Sequence, residues 1–243
     1  RFTCASATAD GVISYLEKYM INRQKERGTA SETQERGEEA CMVAHPKPAA
    51  PWGEYVPRVG RMTVEQFERF PTEDGWTYEL HQGRLISMPG PGDEHADIQE
   101  NFFSTLGLYI RTHHLGRLKG TSCYNLPLPN NTEEVLCPDM SYIQPARLAS
   151  MPRRGSYRVG APDLVIEIAS PGDTHPEMAA KVAVYLQAGV RLIWVVWPNS
   201  QTIEIWRPMA AGQPSAILSA QDRLDGEQVV PGFQCAVADG FAQ

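Results

Sequence analysis

The segment at residues 163–197 constrains the fold of this chain more than any other. It begins with DLVIEIA at 163–169, which is apolar except for its acids and is typical of a strand buried on both faces. Thr174 then starts a T-x-x-E capping-box pattern for a helix that runs to about residue 188. A second apolar run, RLIWVVW at 191–197, follows this helix. The order strand, helix, strand predicts a sheet that is covered by helices.

Shorter patterns elsewhere add strands and helices to this unit. In chain order they predict a short helix from the Thr63–Gln66 capping box, a TYEL–RLISM hairpin, a helix over 97–113, extended runs at 118–128 and 135–143, a loop at 146–159, a strand pair RLIWVVW–TIEIW, and one or two short strands after residue 211. Together these predicted helices and strands indicate an α/β (α+β) fold with a mixed central β-sheet flanked by helices.

Residues 1–60 differ in composition from the rest of the chain. The stretch at 23–39 is almost wholly polar, and the stretch at 45–57 is rich in proline. Such composition offers too little apolar surface to build a core. We expect residues 1–60 to form a mostly disordered N-terminal extension and residues 61–243 to form the folded domain.

Charge, hydropathy and cysteine spacing limit the function classes. Residues 61–243 hold 14 Lys and Arg against 21 Asp and Glu, which accounts for the whole net charge of −7 and is unlike a tight non-specific nucleic-acid binder. No apolar run approaches the roughly 18 residues of a membrane span. The five cysteines form no C-x-x-C pair, so neither a disulfide framework nor a zinc ribbon is predicted. A cytoplasmic setting is expected.

Three residues are difficult to explain by packing alone. Asp139 interrupts an extended run, although a surface-facing strand residue would look the same. Glu167 lies among apolar neighbours, where a buried carboxylate needs a cation, a hydrogen bond or a proton, and a structural ion pair is the alternative explanation. Lys181 falls on the apolar stripe of the following helix, where a lysine that reaches outward is the alternative.

Together, two carboxylates and a lysine suggest metal-assisted hydrolysis of a phosphodiester. Hard oxygen ligands suit Mg²⁺ or Mn²⁺. Such an ion polarises the phosphodiester and lowers the pKa of a bound water. An ammonium group beside that water can orient it and offset charge that develops in the transition state.

At these residues the chain resembles the Uma family of putative restriction endonucleases, a bacterial branch of the PD-(D/E)xK superfamily. The matching blocks occur in the family's order and cover about residues 62–208. They are MTVEQFERFP, DGWTYELHQGRLISMPGPGDEHADI, CPDMSYI, GAPDLVIEIASPGD, and Lys181 with YLQAGVRLIWVVWP.

The resemblance implies a restriction-endonuclease-like fold. It also implies a role in the site for each residue that matches a family position. Asp139 matches the aspartate of the PD pair, and Glu167 matches the acid that follows. The superfamily's lysine two positions later is replaced by Ala169, and Lys181 occupies the position that the Uma pattern uses instead. Glu79 matches an early acidic position that could complete a metal shell, and His95 matches a further family position; a surface acid and a helix-start histidine are the alternatives.

The resemblance also implies DNA as the substrate, Mg²⁺ (or Mn²⁺) as the cofactor, and a homodimer that places two sites on opposite strands. The candidate phosphate contacts are Arg111, Arg117, Lys119, Arg153, Arg154 and Arg158, although most charge clusters are solvated faces. Two other hypotheses remain open. One is a catalytically inactive module with the same fold that acts in binding or as a scaffold, and the other is a glycoside hydrolase using Asp139 and Glu167 as its acid/base pair.

Overall fold

A computed structural model describes residues 61–130, 132–209 and 212–242. The expectation of a disordered extension at 1–60 therefore lies outside the described residues. Within the described residues, no helix has both the length and the apolar character that crossing a bilayer requires.

The elements follow the predicted order. The helices are α1 (Val64–Glu68), α2 (Asp93–Thr112), α3 (Pro145–Ser150) and α4 (His175–Gln187), with a 3₁₀ turn at Val237–Phe241. The strands are β1 (Trp76–His81), β2 (Arg84–Pro89), β3 (Arg117–Lys119), β4 (Tyr124–Pro127), β5 (Glu133–Leu136), β6 (Met140–Ile143), β7 (Arg153–Arg154), β8 (Tyr157–Val159), β9 (Leu164–Ile168), β10 (Leu192–Trp197), β11 (Thr202–Trp206), β12 (Ala216–Leu218), β13 (Arg223–Asp225) and β14 (Gln234–Ala236).

These strands form two larger mixed sheets rather than the one predicted. The first sheet has the order β2-β1-β5-β4-β8-β7, and the second has the order β12-β11-β10-β9-β6-β3. Strand β9 lies inside the second sheet, parallel to β10 and antiparallel to β6. The prediction of an α/β fold with mixed sheet and flanking helices is confirmed, and so is the central position of β9.

Strand β9 separates two apolar cores. Leu164, Ile166 and Ile168 pack in a cluster that includes residues of α2, whereas Val165 packs in a second cluster that includes residues of α4. Because side chains alternate along a strand, Glu167 lies on the same face as Val165 and is directed towards α4. The alternation therefore decides which helix can reach this carboxylate.

The short elements were predicted least well. The runs at 118–128 and 135–143 are each broken in two, so Asp139 lies between β5 and β6 rather than inside a strand. The predicted loop at 146–159 instead contains most of α3 and the β7–β8 hairpin. These elements are too short to show a period, and arginine and proline gave the segment the composition of a loop.

The sequence predicted no disulfide framework, but the structure has one disulfide. Cys123 and Cys137 are joined by a disulfide, with their Cα atoms 4.0 Å apart. They flank the cross-strand pair Tyr124–Leu136 of β4 and β5, and antiparallel pairing brings them opposite each other. Their spacing of 14 residues carries no recognisable motif, so only the strand register could have predicted the bond.

Candidate active site

Glu79 enters the site from the first sheet. It lies on β1 opposite Ile86 of the β1–β2 hairpin and is 3% exposed, so it is not the surface acid that a hairpin could carry. Its Oε1 accepts a hydrogen bond from the backbone N–H of Cys137 at 2.7 Å. The carboxylate is thereby directed at the segment that leads to Asp139.

Asp139 is fixed by the break between β5 and β6. Its Oδ2 accepts the backbone N–H of Ile168 at 2.8 Å, and its carbonyl oxygen accepts the side-chain amide of Gln99 at 2.7 Å. The first contact ties Asp139 to the residue that follows Glu167 on β9. The two acids predicted from sequence therefore approach the same end of β9.

Lys181 bridges the two sheets. Its Nζ lies 3.1 Å from Oε1 of Glu79 and 3.1 Å from Oε1 of Glu167. One turn further along α4, the hydroxyl of Tyr185 donates to the same Oε1 of Glu167 at 2.6 Å. The spacing of four residues places both side chains on one face of the helix. The ammonium and the hydroxyl satisfy a carboxylate that would otherwise be buried alone.

His95 approaches from the first turn of α2. Its Nε2 lies 3.1 Å from Oδ1 of Asp139, which is an ion-pair distance, although the N–H direction is not aligned as a hydrogen bond requires. Its Nδ1 is buried and has no hydrogen-bond partner among the described residues. The ring therefore has a nitrogen available for another group.

Burial and mutual repulsion set the protonation of the acids. Burial raises the pKa of Glu167 to about 8, against the lowering effects of Lys181 and of the Tyr185 hydrogen bond, because the charges of Asp139 and Glu79 add to the increase. Burial also raises the pKa of Asp173, in the loop after β9, to about 6. The acids of the site therefore carry more negative charge than Lys181 and His95 together can neutralise.

The basic groups of the site respond in the opposite sense. Burial is the largest single effect and lowers the pKa of Lys181, but the carboxylates of Glu167, Glu79 and Asp139 together outweigh it, so the net shift is upward. Burial lowers the pKa of His95 as well, and contact with Asp139 outweighs that effect. Both groups therefore hold their protons more tightly than usual.

The donor set suits a hard divalent cation in its chemistry. Glu79, Asp139 and Glu167 present carboxylate oxygens, the ligands that Mg²⁺ and Mn²⁺ prefer. The raised pKa of Glu167 is the sign of uncompensated negative charge that a cation would relieve. However, no group of three His, Cys, Asp or Glu side chains within the described ranges is arranged to hold a metal. Glu79 and Glu167 are directed at the ammonium instead.

The candidate nucleic-acid contacts are arranged in different ways. Arg117 and Lys119 lie on β3, at the edge of the second sheet, and Arg153 lies on β7. Arg154, next to Arg153, pairs with Glu65, with Glu68 at 3.0 Å and with Glu133 at 3.5 Å. Its role in nucleic-acid binding stays a prediction, but its charge is already neutralised.

Sequence reasoning missed two contributors to the site. Tyr185 was not predicted as a site residue, yet its hydroxyl donates a hydrogen bond to Glu167. Its position four residues after Lys181 could have predicted this contact, because residues four apart lie on the same face of a helix. The backbone N–H of Cys137 that binds Glu79 carries no signal in a side-chain pattern.

Comparisons with known proteins give the fold and the family of this chain. A solved structure of a putative nuclease belonging to DUF820 from Anabaena variabilis ATCC 29413 superimposes with a TM-score of 0.62 at 20% identity, covering 74% of this chain and 97% of that one. At that identity the likeness concerns the fold alone. No curated protein matches the chain. The model of the family Uma2, described as "Putative restriction endonuclease", matches residues 64–238. That match spans most of the chain, which therefore belongs to the Uma2 family.

Proposed function

We propose that this chain is an endonuclease that hydrolyses phosphodiester bonds in DNA and depends on Mg²⁺, for which Mn²⁺ can substitute. Membership of the Uma2 family and the nuclease-like fold support a nuclease. The observation that carries the finer proposal is the approach of Glu79 and Glu167 to one ammonium group, with Asp139 at the same end of β9.

The three carboxylates are the proposed metal ligands. Glu79 and Asp139 each already accept one backbone N–H, which fixes their direction and leaves further lone pairs for a cation. When bound, a divalent cation supplies the Lewis acid that polarises the phosphodiester and acidifies the attacking water. Glu167 must be ionised to act as a ligand, and the positive charge of a cation would oppose the burial that raises its pKa.

Lys181 is the proposed partner of the attacking water. Its ammonium stays protonated because the surrounding carboxylates raise its pKa. A protonated amine cannot accept the proton of the water, so we assign it to orienting the water and to offsetting negative charge on the transition state. The partly exposed side chain, at 20%, keeps the ammonium accessible from solvent.

His95 and Tyr185 are proposed as positioning residues. His95 holds positive charge beside Asp139, because that carboxylate raises its pKa. Tyr185 donates its hydroxyl proton to Glu167 and keeps the carboxylate turned towards the ammonium. Neither contact requires a bond to change during the reaction.

Cleavage of both strands would be completed by a homodimer with paired sites. Arg117, Lys119 and Arg153 are the proposed contacts with backbone phosphates, since each carries a charge that no carboxylate of the described ranges pairs with. Sedimentation of the free chain and of its DNA complex would establish the assembly.

The deciding experiment measures cleavage of supercoiled plasmid by the full chain with Mg²⁺, with Mn²⁺ and with EDTA. We expect nicked and linear products with either metal, and none in EDTA. Glu167→Gln, Asp139→Asn and Lys181→Met should each lower the rate by at least about 100-fold, the scale of lost electrostatic stabilisation.

Glu204→Gln is the matched control for these variants. Glu204 is also buried in the second sheet, two strands from Glu167, where it contacts His175 at 2.9 Å and accepts from the Trp206 indole at 3.0 Å. This variant should cut as the wild type does. Intact plasmid at enzyme excess with folded protein would refute the proposal, and so would undiminished cleavage by Glu167→Gln.

One observation favours a second candidate, a catalytically inactive binding module. Lys181 already pairs with the two carboxylates that a metal would need, and no three-ligand set exists in the described ranges. This candidate predicts no cleavage and no metal response in any variant, so the same plasmid experiment separates it from the nuclease.

A further inference from the structure

A basic cavity borders the Cys123–Cys137 disulfide. It encloses about 240 Å³ and is lined by Lys119, Arg153 and Arg158 together with Tyr157, Ser122 and Cys123. None of its lining residues is acidic. The domain has a net negative charge, so a cavity lined by three basic side chains and no acidic one is unusual for it.

The cations of this basic cavity face each other without compensation. Arg153 on β7 and Arg158 on β8 are direct cross-strand partners, an arrangement of like charges that destabilises a sheet. Arg158 bonds only weakly to the Met151 carbonyl at 3.4 Å, and its Nε is buried without a hydrogen-bond partner in the described ranges. Adjacent Arg154, by contrast, is paired with three glutamates.

The pKa of Lys119 is affected by the same repulsion between positive charges. Burial lowers its pKa, and the positive charges of Arg158, Arg153 and Arg117 lower it further. No carboxylate of the described residues forms an ion pair with Lys119. A bound anion would satisfy all of these groups at once, because arginine and lysine donors match phosphate oxygens in charge and geometry.

The cavity and the carboxylates share a wall. Cys123 lines the cavity, its disulfide partner is Cys137, and the backbone N–H of Cys137 binds Glu79 at 2.7 Å. One disulfide and one hydrogen bond therefore connect the cavity to the carboxylate cluster. The cavity lacks the apolar lining of a site for a small hydrophobic ligand.

We propose that the basic cavity formed by Lys119, Arg153 and Arg158 binds a backbone phosphate of the DNA strand whose neighbouring phosphodiester reaches the carboxylates. This inference rests on the proposed function for the identity of the polyanion. The contact is to phosphate, so it carries no base sequence information.

The experiment measures binding rather than cleavage. The anisotropy of a fluorescent 20-base-pair duplex is titrated with the full chain in EDTA at several salt concentrations. Lys119→Gln and Arg153→Gln should each weaken binding equally for unrelated sequences. Each should also reduce the slope of log K against log [salt] by about 0.9, the value for one lost phosphate contact.

Arg223→Gln is the control, because it removes one exposed positive charge on β13, outside the cavity. It should leave the slope unchanged. Loss of a cation from a repelling cluster should not lower the melting temperature, which provides a check on folding. The inference is overturned if the cavity variants keep the wild-type slope, if Arg223→Gln matches their loss, or if the wild type binds no duplex even at low salt.

Failure of this inference is distinguishable from failure of the proposed function. Metal-dependent plasmid cleavage with unaltered binding by the cavity variants would refute the cavity and leave the nuclease. Cavity-dependent binding without cleavage under any metal would refute the nuclease and leave the cavity as a phosphate site.

Discussion

The ammonium of Lys181 on α4 lies 3.1 Å from the carboxylate of Glu79 on β1, in a different sheet from the one against which α4 packs. The same ammonium reaches Glu167 on β9 at an equal distance. One side chain thus joins the hairpin, the second sheet and the helix. Any change to it affects the fold as well as the proposed chemistry.

Replacement of Lys181 by Met should destabilise the metal-free chain. Removing one partner of a buried ion pair leaves uncompensated charge, which costs about 3–5 kcal/mol. Urea unfolding at pH 7 in EDTA measures the loss. Lys119→Gln is the control, since its charge has no ion-pair partner in the described ranges and its removal should cost little. Equal stability of Lys181→Met and wild type would show that the ion pairs contribute nothing.

Mn²⁺ should raise the melting temperature of the wild type. A ligand that binds only the folded chain stabilises it by about 2.7 kcal/mol at 100 times its dissociation constant. Glu167→Gln removes a proposed ligand and should abolish the shift, whereas Glu204→Gln should retain it. A shift of the same size in Glu167→Gln would place the ion elsewhere.

Metal-free stability should fall as the pH rises from about 5 to 8. Burial raises the pKa of Glu167 from 4.5 to about 8, so the folded chain keeps a proton that the unfolded chain releases. That contribution is fully present below the unfolded value and is lost as the pH rises through the folded value. His95 also has a raised pKa and acts in the same direction. The difference in unfolding free energy between wild type and Glu167→Gln, followed as a function of pH, gives the contribution of the Glu167 carboxylate.

Urea unfolding in EDTA at several pH values provides that difference. The Glu167→Gln curve should be flatter with pH than the wild-type curve, whereas Glu204→Gln should keep the wild-type dependence. If the Glu167→Gln and wild-type curves run parallel, Glu167 is ionised throughout and its environment does not hold a proton.

Periodicity in the sequence was sufficient for the long elements. The apolar runs around Glu167 and at β10 predicted the strand–helix–strand unit, and the apolar stripe of α4 placed Lys181 towards the sheet. These patterns extend over enough residues for their period to be recognised. Periodicity alone therefore predicted the positions of Glu167 and Lys181, whereas Glu79 and His95 were predicted from the family resemblance.

Contacts between distant segments could not be predicted in the same way. The pairing of Glu79 with Lys181 depends on how the first sheet meets α4, and the Cys123–Cys137 disulfide depends on the register of β4 and β5. Strand register is set by tertiary packing and turn geometry, which a local pattern does not contain. The two-residue strand β7 carries no periodic signal at all.

Tyr185→Phe should separate positioning from chemistry. Loss of the buried hydrogen bond to Glu167 should cost about 1 kcal/mol in stability. Because that bond lowers the pKa of Glu167, its loss should move the acidic limb of the cleavage pH profile to higher pH. Tyr124→Phe is the matched control, since its buried hydroxyl bonds Ser141 at 2.7 Å and no carboxylate of the candidate site. An unshifted profile in Tyr185→Phe would make the hydroxyl merely structural.

Reduction of the Cys123–Cys137 disulfide should destabilise the domain. The bond closes a loop of 14 residues, and a cross-link of about that length contributes about 3 kcal/mol by restricting the unfolded chain. Urea unfolding with and without a phosphine reductant measures the effect.

The double variant Cys123→Ser/Cys137→Ser is the control for that measurement, and it should be as unstable as the reduced wild type and indifferent to the reductant. Peptide mapping after alkylation of the unreduced protein tests the bond directly. Recovery of both cysteines as alkylated thiols would contradict it. In that case the amide of Cys137 would still bind Glu79, but without the covalent anchor to the wall of the basic cavity.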